Sequence, residues 1–385
     1  MSAPNEKYLI GLTGNIGTGK SVVRRMLGHL GAYGIDADAL GHRAIMKGAP
    51  GYKPVVETFG RWILDSKGEI VRKNLAKIVF DNPIALKSLE GIVHPLVNKA
   101  IEIMVQRTPH TVVVIEAIKL IESGLADKCD AIWVTYTPET VQIKRLCERR
   151  GMTEREALAR IHAQPPQKEK ISRADLVLVN DSSFEKVWKQ VYNAWNKLSV
   201  NIPGEEESSA AQTKTVIDGS DLLRVERATP KQAEDIAALL NRIEEPLSPY
   251  TRMRIMEAFG EKAFLLLFDN MRNELMGVLS WQVENLVARV YDVWLMPEVP
   301  EAEAVLLLLK KVEAEAKLLQ AEISMIFMPK ESNLPLSLFP KLGYDRKTAE
   351  ELDSNAWYEA AKDRLGYGKL LFVKELRTDR VMKPL

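Results

Sequence analysis

Eight residues, Gly14-Asn15-Ile16-Gly17-Thr18-Gly19-Lys20-Ser21, fit the pattern GxxxxGK[ST]. No other stretch constrains the fold as strongly, because this pattern works only between a strand and a helix. The flanks supply both: Tyr8-Leu9-Ile10-Gly11-Leu12 reads as a short buried strand and Val22–Leu30 as a helix. Successive backbone N–H groups in such a turn point inward at phosphate oxygens. The helix start adds its own unpaired N–H groups and the positive end of its dipole. Lys20 can then reach the β- and γ-phosphates of a nucleoside triphosphate, and the Ser21 hydroxyl can ligate Mg²⁺.

A chain of 385 residues has room for two domains. Apolar periodicity stops near Leu198 and resumes at Leu222, across Pro203, Gly204, Glu205-Glu206-Glu207 and Ser208-Ser209. The expected organisation is a first domain over 1–200, a flexible linker over 201–220 and a second domain over 221–385. In the first, strands are expected at Tyr8–Leu12, Thr111–Glu116, Ala131–Tyr136 and Leu176–Val179, with a short one ending near Asp36. Val and Ile runs without polar alternation mark strands buried on both faces, hence an α/β fold of the P-loop kinase type: a parallel sheet with helices on both faces. Thr137-Pro138 and the capping box Thr153-Glu154-Arg155-Glu156 mark helix starts. The second domain reads as mixed α/β with mostly consecutive, antiparallel strands.

Net charge is +1, which gives the whole chain no bias toward nucleic acid or a membrane surface. Apolar runs such as Val305–Leu309 are too short to span a bilayer, and the first residues lack the pattern of a secretory signal. Cys129 and Cys147 lack metal-ligand spacing, so reduced thiols in a cytoplasmic protein are expected. The sequence sets no oligomeric state.

A P-loop does not say what accepts the phosphate. Ile35-Asp36-Ala37-Asp38 falls just past the expected second strand, where ligands of doubly wound sheets bind. Asp38 either orients or deprotonates an attacking hydroxyl or helps hold Mg²⁺, with a helix N-cap as the ordinary alternative, and Asp36 reads as a capping or orienting residue. Glu116 ends the Val112–Ile115 run; it either holds Mg²⁺ through water or is a strand-end carboxylate in solvent. Arg145 and Arg149 lie one turn apart on one helix face, placed either to neutralise a transferring phosphoryl group or as a solvated basic face. His94 sits within a long helical pattern, where a packed or capping role is the ordinary expectation.

These pieces in this order, over residues 8–198, resemble the dephospho-CoA kinase family. Gly11-Leu12-Thr13-Gly14 through Lys20-Ser21 is similar to its P-loop, and Asp36-Ala37-Asp38 to its acidic motif. Phe59-Gly60 with Gly68-Glu69-Ile70-Val71-Arg72 resembles its acceptor-binding insert, and Leu89–Pro95 its His-Pro helix. Arg145-Leu146, Arg149 and Gln164 resemble its lid, and Asn180 the loop beside the adenine. The resemblance implies ATP-dependent phosphorylation of the ribose 3′-hydroxyl of dephospho-CoA, with Mg²⁺. It implies nucleotide contacts from Gly14 to Val22 and at Asn180, and acceptor contacts at Asp38, Arg72, His94 and Lys119. Two positions depart from the pattern. Asn15 replaces a usual Gly, and Asn tolerates positive φ. Ile118-Lys119-Leu120 replaces Pro-Leu-Leu, leaving Lys119 either to meet a substrate phosphate or to reach solvent. A kinase of another nucleoside or nucleotide is the alternative that this departure supports.

Residues 222–385 resemble the acetyltransferase fold of the GNAT type, at Arg224–Thr229, Glu274–Leu279 and Leu338–Tyr344. In that family a Gly-containing turn at a helix start holds acetyl-CoA. Here the turn is Met296-Pro297-Glu298-Val299-Pro300-Glu301-Ala302-Glu303, with no Gly and with glutamates that would repel a pyrophosphate. The family's Tyr acid falls on Phe339. A non-catalytic domain is expected, with a sensor of CoA or acetyl-CoA as the alternative.

Overall fold

The computed structural model describes residues 7–199, 222–244, 246–330, 336–365 and 368–381. The expected linker, 201–220, lies outside them.

Five strands form the first sheet: β1 (Tyr8–Thr13), β2 (Tyr33–Asp36), β3 (Val112–Glu116), β4 (Ala131–Tyr136) and β5 (Leu176–Val179). Their order is β2-β3-β1-β4-β5 and the sheet is parallel. All five match the expected strands to within a residue or two. Every residue of β3 is buried, as an apolar run without alternation requires when helices cover both faces. The helix after β1, α1 (Lys20–His29), sets Val23, Met26 and Leu27 on Ile10, Leu12, Val112 and Val114. Val187 and Val191 of the helix Phe184–Ser199 join the same cluster.

Between β2 and β3 run α2 (Ala37–Ala44), α3 (Tyr52–Phe59), α4 (Arg72–Asp81) and α5 (Pro83–Arg107). Pro95 lies inside α5. After β4 come α6 (Glu139–Arg150), α7 (Glu154–His162) and α8 (Gln167–Ile171), and α9 is the Phe184–Ser199 helix. The Thr153 capping box forms as expected. Thr137 does not cap α6, which starts at Glu139 after Pro138; its Oγ1 donates instead to Asn180 O at 2.8 Å.

The second sheet has seven strands: β6 (Leu223–Arg227), β7 (Ala263–Asp269), β8 (Glu274–Glu284), β9 (Val287–Leu295), β10 (Ile323–Pro329), β11 (Asp345–Lys347) and β12 (Lys369–Glu375). Their order is β11-β12-β10-β9-β8-β7-β6. β6–β7 and β7–β8 pair antiparallel, but β10 lies parallel to β9. Among the described residues, the helices of this segment are α10 (Ala233–Ile243), α11 (Arg252–Phe259), α12 (Glu301–Leu318), α13 (Leu338–Lys341) and α14 (Asn355–Lys362). α12 is the crossover that the parallel step needs. β11, Asp-Arg-Lys, carries no apolar signal and was not expected. Glu301 and Glu303 occupy the first turn of α12. Phe339 is buried and stacks on Phe372.

By contacts the chain forms two compact units. One holds Met1–Ile35, Pro109–Gln282 and Tyr291–Val312; the other holds Asp36–Thr108, Val283–Val290 and Glu313–Leu385. The P-loop belongs to the first and Asp38 to the second.

Ile10 is fully buried in the strand that carries the P-loop. Ile10→Ala is expected to cost about 2–5 kcal/mol, read as a lowered urea midpoint of the transition that includes the first sheet.

Candidate active site

The P-loop leaves the carboxyl end of β1, the place where open α/β sheets bind ligands. Two of its glycines are required by their surroundings. Gly14 has φ +149°, and a Cβ there would lie 2.3 Å from Thr135 Oγ1 and 2.6 Å from Thr135 O. Gly19 has φ +86°, and a Cβ would meet Asn180 Nδ2 at 2.0 Å. Asn15 is not among the positive-φ residues, which corrects the expected reason for its tolerance. Its side chain acts instead: Nδ2 donates to Pro165 O at 2.8 Å.

Lys20 Nζ donates to Gly14 O at 2.9 Å and to Asn15 O at 3.3 Å, curling over the loop. No acidic residue of α1 itself stands in its first turn, where the positive end of its dipole lies. Ser21 Oγ donates to Glu116 Oε1 at 2.7 Å, and Arg24 Nε to Glu116 Oε2 at 2.6 Å. Glu116 is 4% exposed, which disposes of the solvent-facing alternative. Burial pushes its carboxyl up. Arg24, Lys20 and the hydrogen bonds from Arg24 and Ser21 outweigh that and hold it below the ordinary value. Hydroxyl and carboxylate oxygens side by side are hard donors of the kind magnesium takes alongside phosphate oxygens and water.

The segment α6–α8 closes on the same loop. Ile16 N donates to Gln164 Oε1 at 2.7 Å. Arg145 Nη1 reaches Gly17 O at 3.4 Å, and Nη2 reaches Asn180 Oδ1 at 3.1 Å. Asn180 Nδ2 donates to Thr18 O at 2.9 Å. Arg145 therefore stands half-buried against the P-loop, while Arg149, one turn on, is exposed. Burial first and Arg149 second lower the Arg145 guanidinium below its usual value, against Asp181. Lys119 is exposed in the turn after β3.

In the second unit, Asp36 Oδ1 caps α2 by accepting from Ala39 N at 2.8 Å. Asp38 lies half-buried in the first turn of that helix. Arg72 Nη2 lies 2.7 Å from His42 Nε2, and His42 is one turn on from Asp38. His94 is half-buried on α5, the helix against which α2 packs. Ser21, Glu116, Arg145 and Asn180 thus gather at the P-loop, and Asp38, Arg72 and His94 belong to the other unit.

A family model for dephospho-CoA kinase matches residues 8–186. The dephospho-CoA kinase of Aquifex aeolicus is 43% identical over 191 residues, which are 49% of this chain and 97% of that protein. The chain belongs to the dephospho-CoA kinase family. The crystal structure of TT1252 from Thermus thermophilus is 32% identical, covering 50% of this chain and 98% of that one, with a TM-score of 0.46. An acetyltransferase of the GNAT family from Staphylococcus aureus Mu50 aligns to the later part of the chain, with 40% of this chain and 99% of that one covered, 10% identity and a TM-score of 0.32. The protein is a kinase and phosphorylates dephospho-CoA in coenzyme A biosynthesis.

Several residues around the P-loop and α2 carry no motif. Lys170 is buried, with Nζ on Ile118 O and 3.6 Å from Glu122. Its place just after Pro165-Pro166 was the available signal. Thr137 bridges to Asn180, and Gln167 Nε2 donates to Thr137 O at 3.0 Å; no spacing rule marks these. His42, four residues after Asp38, could have been found by helical spacing.

The far end of α1 is held by the later segment. Arg25 Nε donates to Gly260 O at 2.6 Å, Arg227 Nη2 to Gly28 O at 3.3 Å, and His29 Nε2 lies 2.8 Å from Phe259 O. A carbonyl only accepts, so His29 Nε2 carries the proton. Burial first, then Arg227 and Arg25, pull the His29 imidazole from 6.5 to about 3, against the pull of the Phe259 carbonyl. A depressed histidine is neutral when folded and takes a proton when unfolded. Its stabilisation is whole above pH 6.5 and is lost as pH falls toward 3. The melting midpoint of the kinase should therefore drop between about pH 7 and pH 5, and His29→Gln should flatten that slope.

Proposed function

We propose that the kinase transfers the γ-phosphoryl group of ATP to the ribose 3′-hydroxyl of dephospho-CoA, with chemistry at the P-loop face of the first sheet. The observation that carries this reading is the convergence of Lys20, Ser21 and Glu116 at the amino end of α1. Backbone N–H groups from Gly14 to Val22 cradle the phosphates, and Lys20 exchanges the Gly14 and Asn15 carbonyls for β- and γ-phosphate oxygens. Asn180 borders the adenine side. Ser21, with Glu116 through water, would hold Mg²⁺, which neutralises phosphate charge when bound. Arg145 and Arg149 stabilise charge on the transferring group. Asp38 accepts the proton of the attacking hydroxyl as the new O–P bond forms and the bond to ADP breaks. Arg72, His94 and Lys119 serve the acceptor.

We assign the chemistry to 1–200, a linker to 201–220 and a non-catalytic domain to 221–385. The glutamates opening α12 and the buried, hydroxyl-free Phe339 support the last assignment. Free Cys129 and Cys147 fit a reducing cytoplasm.

A coupled ADP-release assay on the full chain tests the acceptor. Turnover is expected with dephospho-CoA and not with adenosine, AMP or pantetheine; no turnover on dephospho-CoA would sink the reading. Asp38→Asn is expected to lower kcat by about a hundred- to ten-thousandfold with the KM for ATP kept.

A further inference from the structure

Helix α2 has eight residues and carries Asp38 in its first turn. Its amino end is fixed locally by the Asp36 cap. Its other end bears Arg43, which is 8% exposed, although arginines are rarely buried without a partner. The partner comes from 279 residues away: Arg43 Nη2 lies 2.6 Å from Glu322 Oε2. Nη1 donates to Asn285 O, also at 2.6 Å.

Glu322 is 1% exposed and is itself locked. Its N–H donates to Leu286 O at 2.7 Å, its carbonyl accepts from Leu376 N at 2.8 Å, and its Oε1 accepts from Val381 N at 3.3 Å. All of these residues belong to one compact unit. Glu322 and Asn285 lie beyond residues 8–186, the extent of the kinase family match.

A buried ion pair is weak grounds for stability, because desolvation offsets its attraction; its best-attested use is to fix geometry. The guanidinium is a planar fork whose bonds have set directions. Here the fork meets a carboxylate on one side and a backbone carbonyl on the other. Asp38 and Arg43 are about 7.5 Å apart along one short helix, so a tilt at Arg43 moves Asp38. A displacement of about 1 Å at a reacting group can cost about a hundredfold in rate.

We propose that Glu322 is a positioning residue for phosphoryl transfer: through Arg43 it fixes the helix that carries Asp38. The non-catalytic segment then acts on the kinase reaction by holding one of its helices from the end remote from the chemistry. The inference rests on the assignment of Asp38 as the base.

The test is steady-state kinetics of the full chain, with thermal unfolding measured alongside. Glu322→Ala is expected to lower kcat about ten- to a hundredfold while the KM for ATP stays put. Glu322→Gln keeps an acceptor for Arg43 and is expected to recover most of the loss. A folded Glu322→Ala at the parental kcat overturns the proposal, as does a loss that merely follows the unfolded fraction. If Glu322→Ala does not fold, Arg43→Met with Glu322→Leu carries the same reading, since an apolar pair can replace a buried ion pair without loss of stability. Reduced kcat in that folded double variant supports the proposal, and the parental kcat overturns it. Asp38→Asn separates the two readings. If it retains parental kcat, the base assignment fails; if it is inactive while folded Glu322→Ala is at full rate, only the positioning role fails.

Discussion

The carboxylate of Glu116 organises the P-loop end of the first sheet. It is nearly excluded from water, where an unpaired charge would cost several kcal/mol or more. Its two oxygens are taken by Ser21 and Arg24, both from the helix that follows the P-loop. The pair ties β3 to α1 across 92 residues of chain. It also sets a hydroxyl and a carboxylate together beside the P-loop. Loss of Arg24 would take away one of the two side chains bonded to that buried charge, so helix and strand depend on one another.

Around this anchor the P-loop is held by further polar contacts. Lys20 rests on loop carbonyls, Gln164 occupies the Ile16 N–H, and Arg145 bridges Gly17 and Asn180. Lys20, Ile16 and Asn180 are buried, and Gln164, Gly17 and Arg145 are half-buried.

The later segment grips the kinase at two helices. Arg25, His29 and Gly28 of α1 meet Gly260, Phe259 and Arg227. Arg43 of α2 meets Asn285 and Glu322. In both cases the grip lies at the carboxyl end of a helix whose amino end carries a candidate catalytic group. None of this was legible in the sequence. Arg43, His29 and Glu322 carry no motif, and their burial follows from which surfaces meet.

The sequence by itself determined the parallel sheet, the Gly-rich turn between β1 and α1 and the family, because period, turn chemistry and motif spacing are local properties that survive without knowledge of contacts. It also placed Asp36 at a helix cap, where a short carboxylate satisfies an N–H of the first turn. Tertiary structure decided the rest. It buried Glu116 and paired it, sent Thr137 to Asn180 rather than to a cap, gave Asn15 a role through its side chain, and set β10 parallel to β9. Each of these depends on a partner tens to hundreds of residues away. Only the folded chain sets which buried polar group finds which partner, and the cost of leaving one unpaired makes that choice matter.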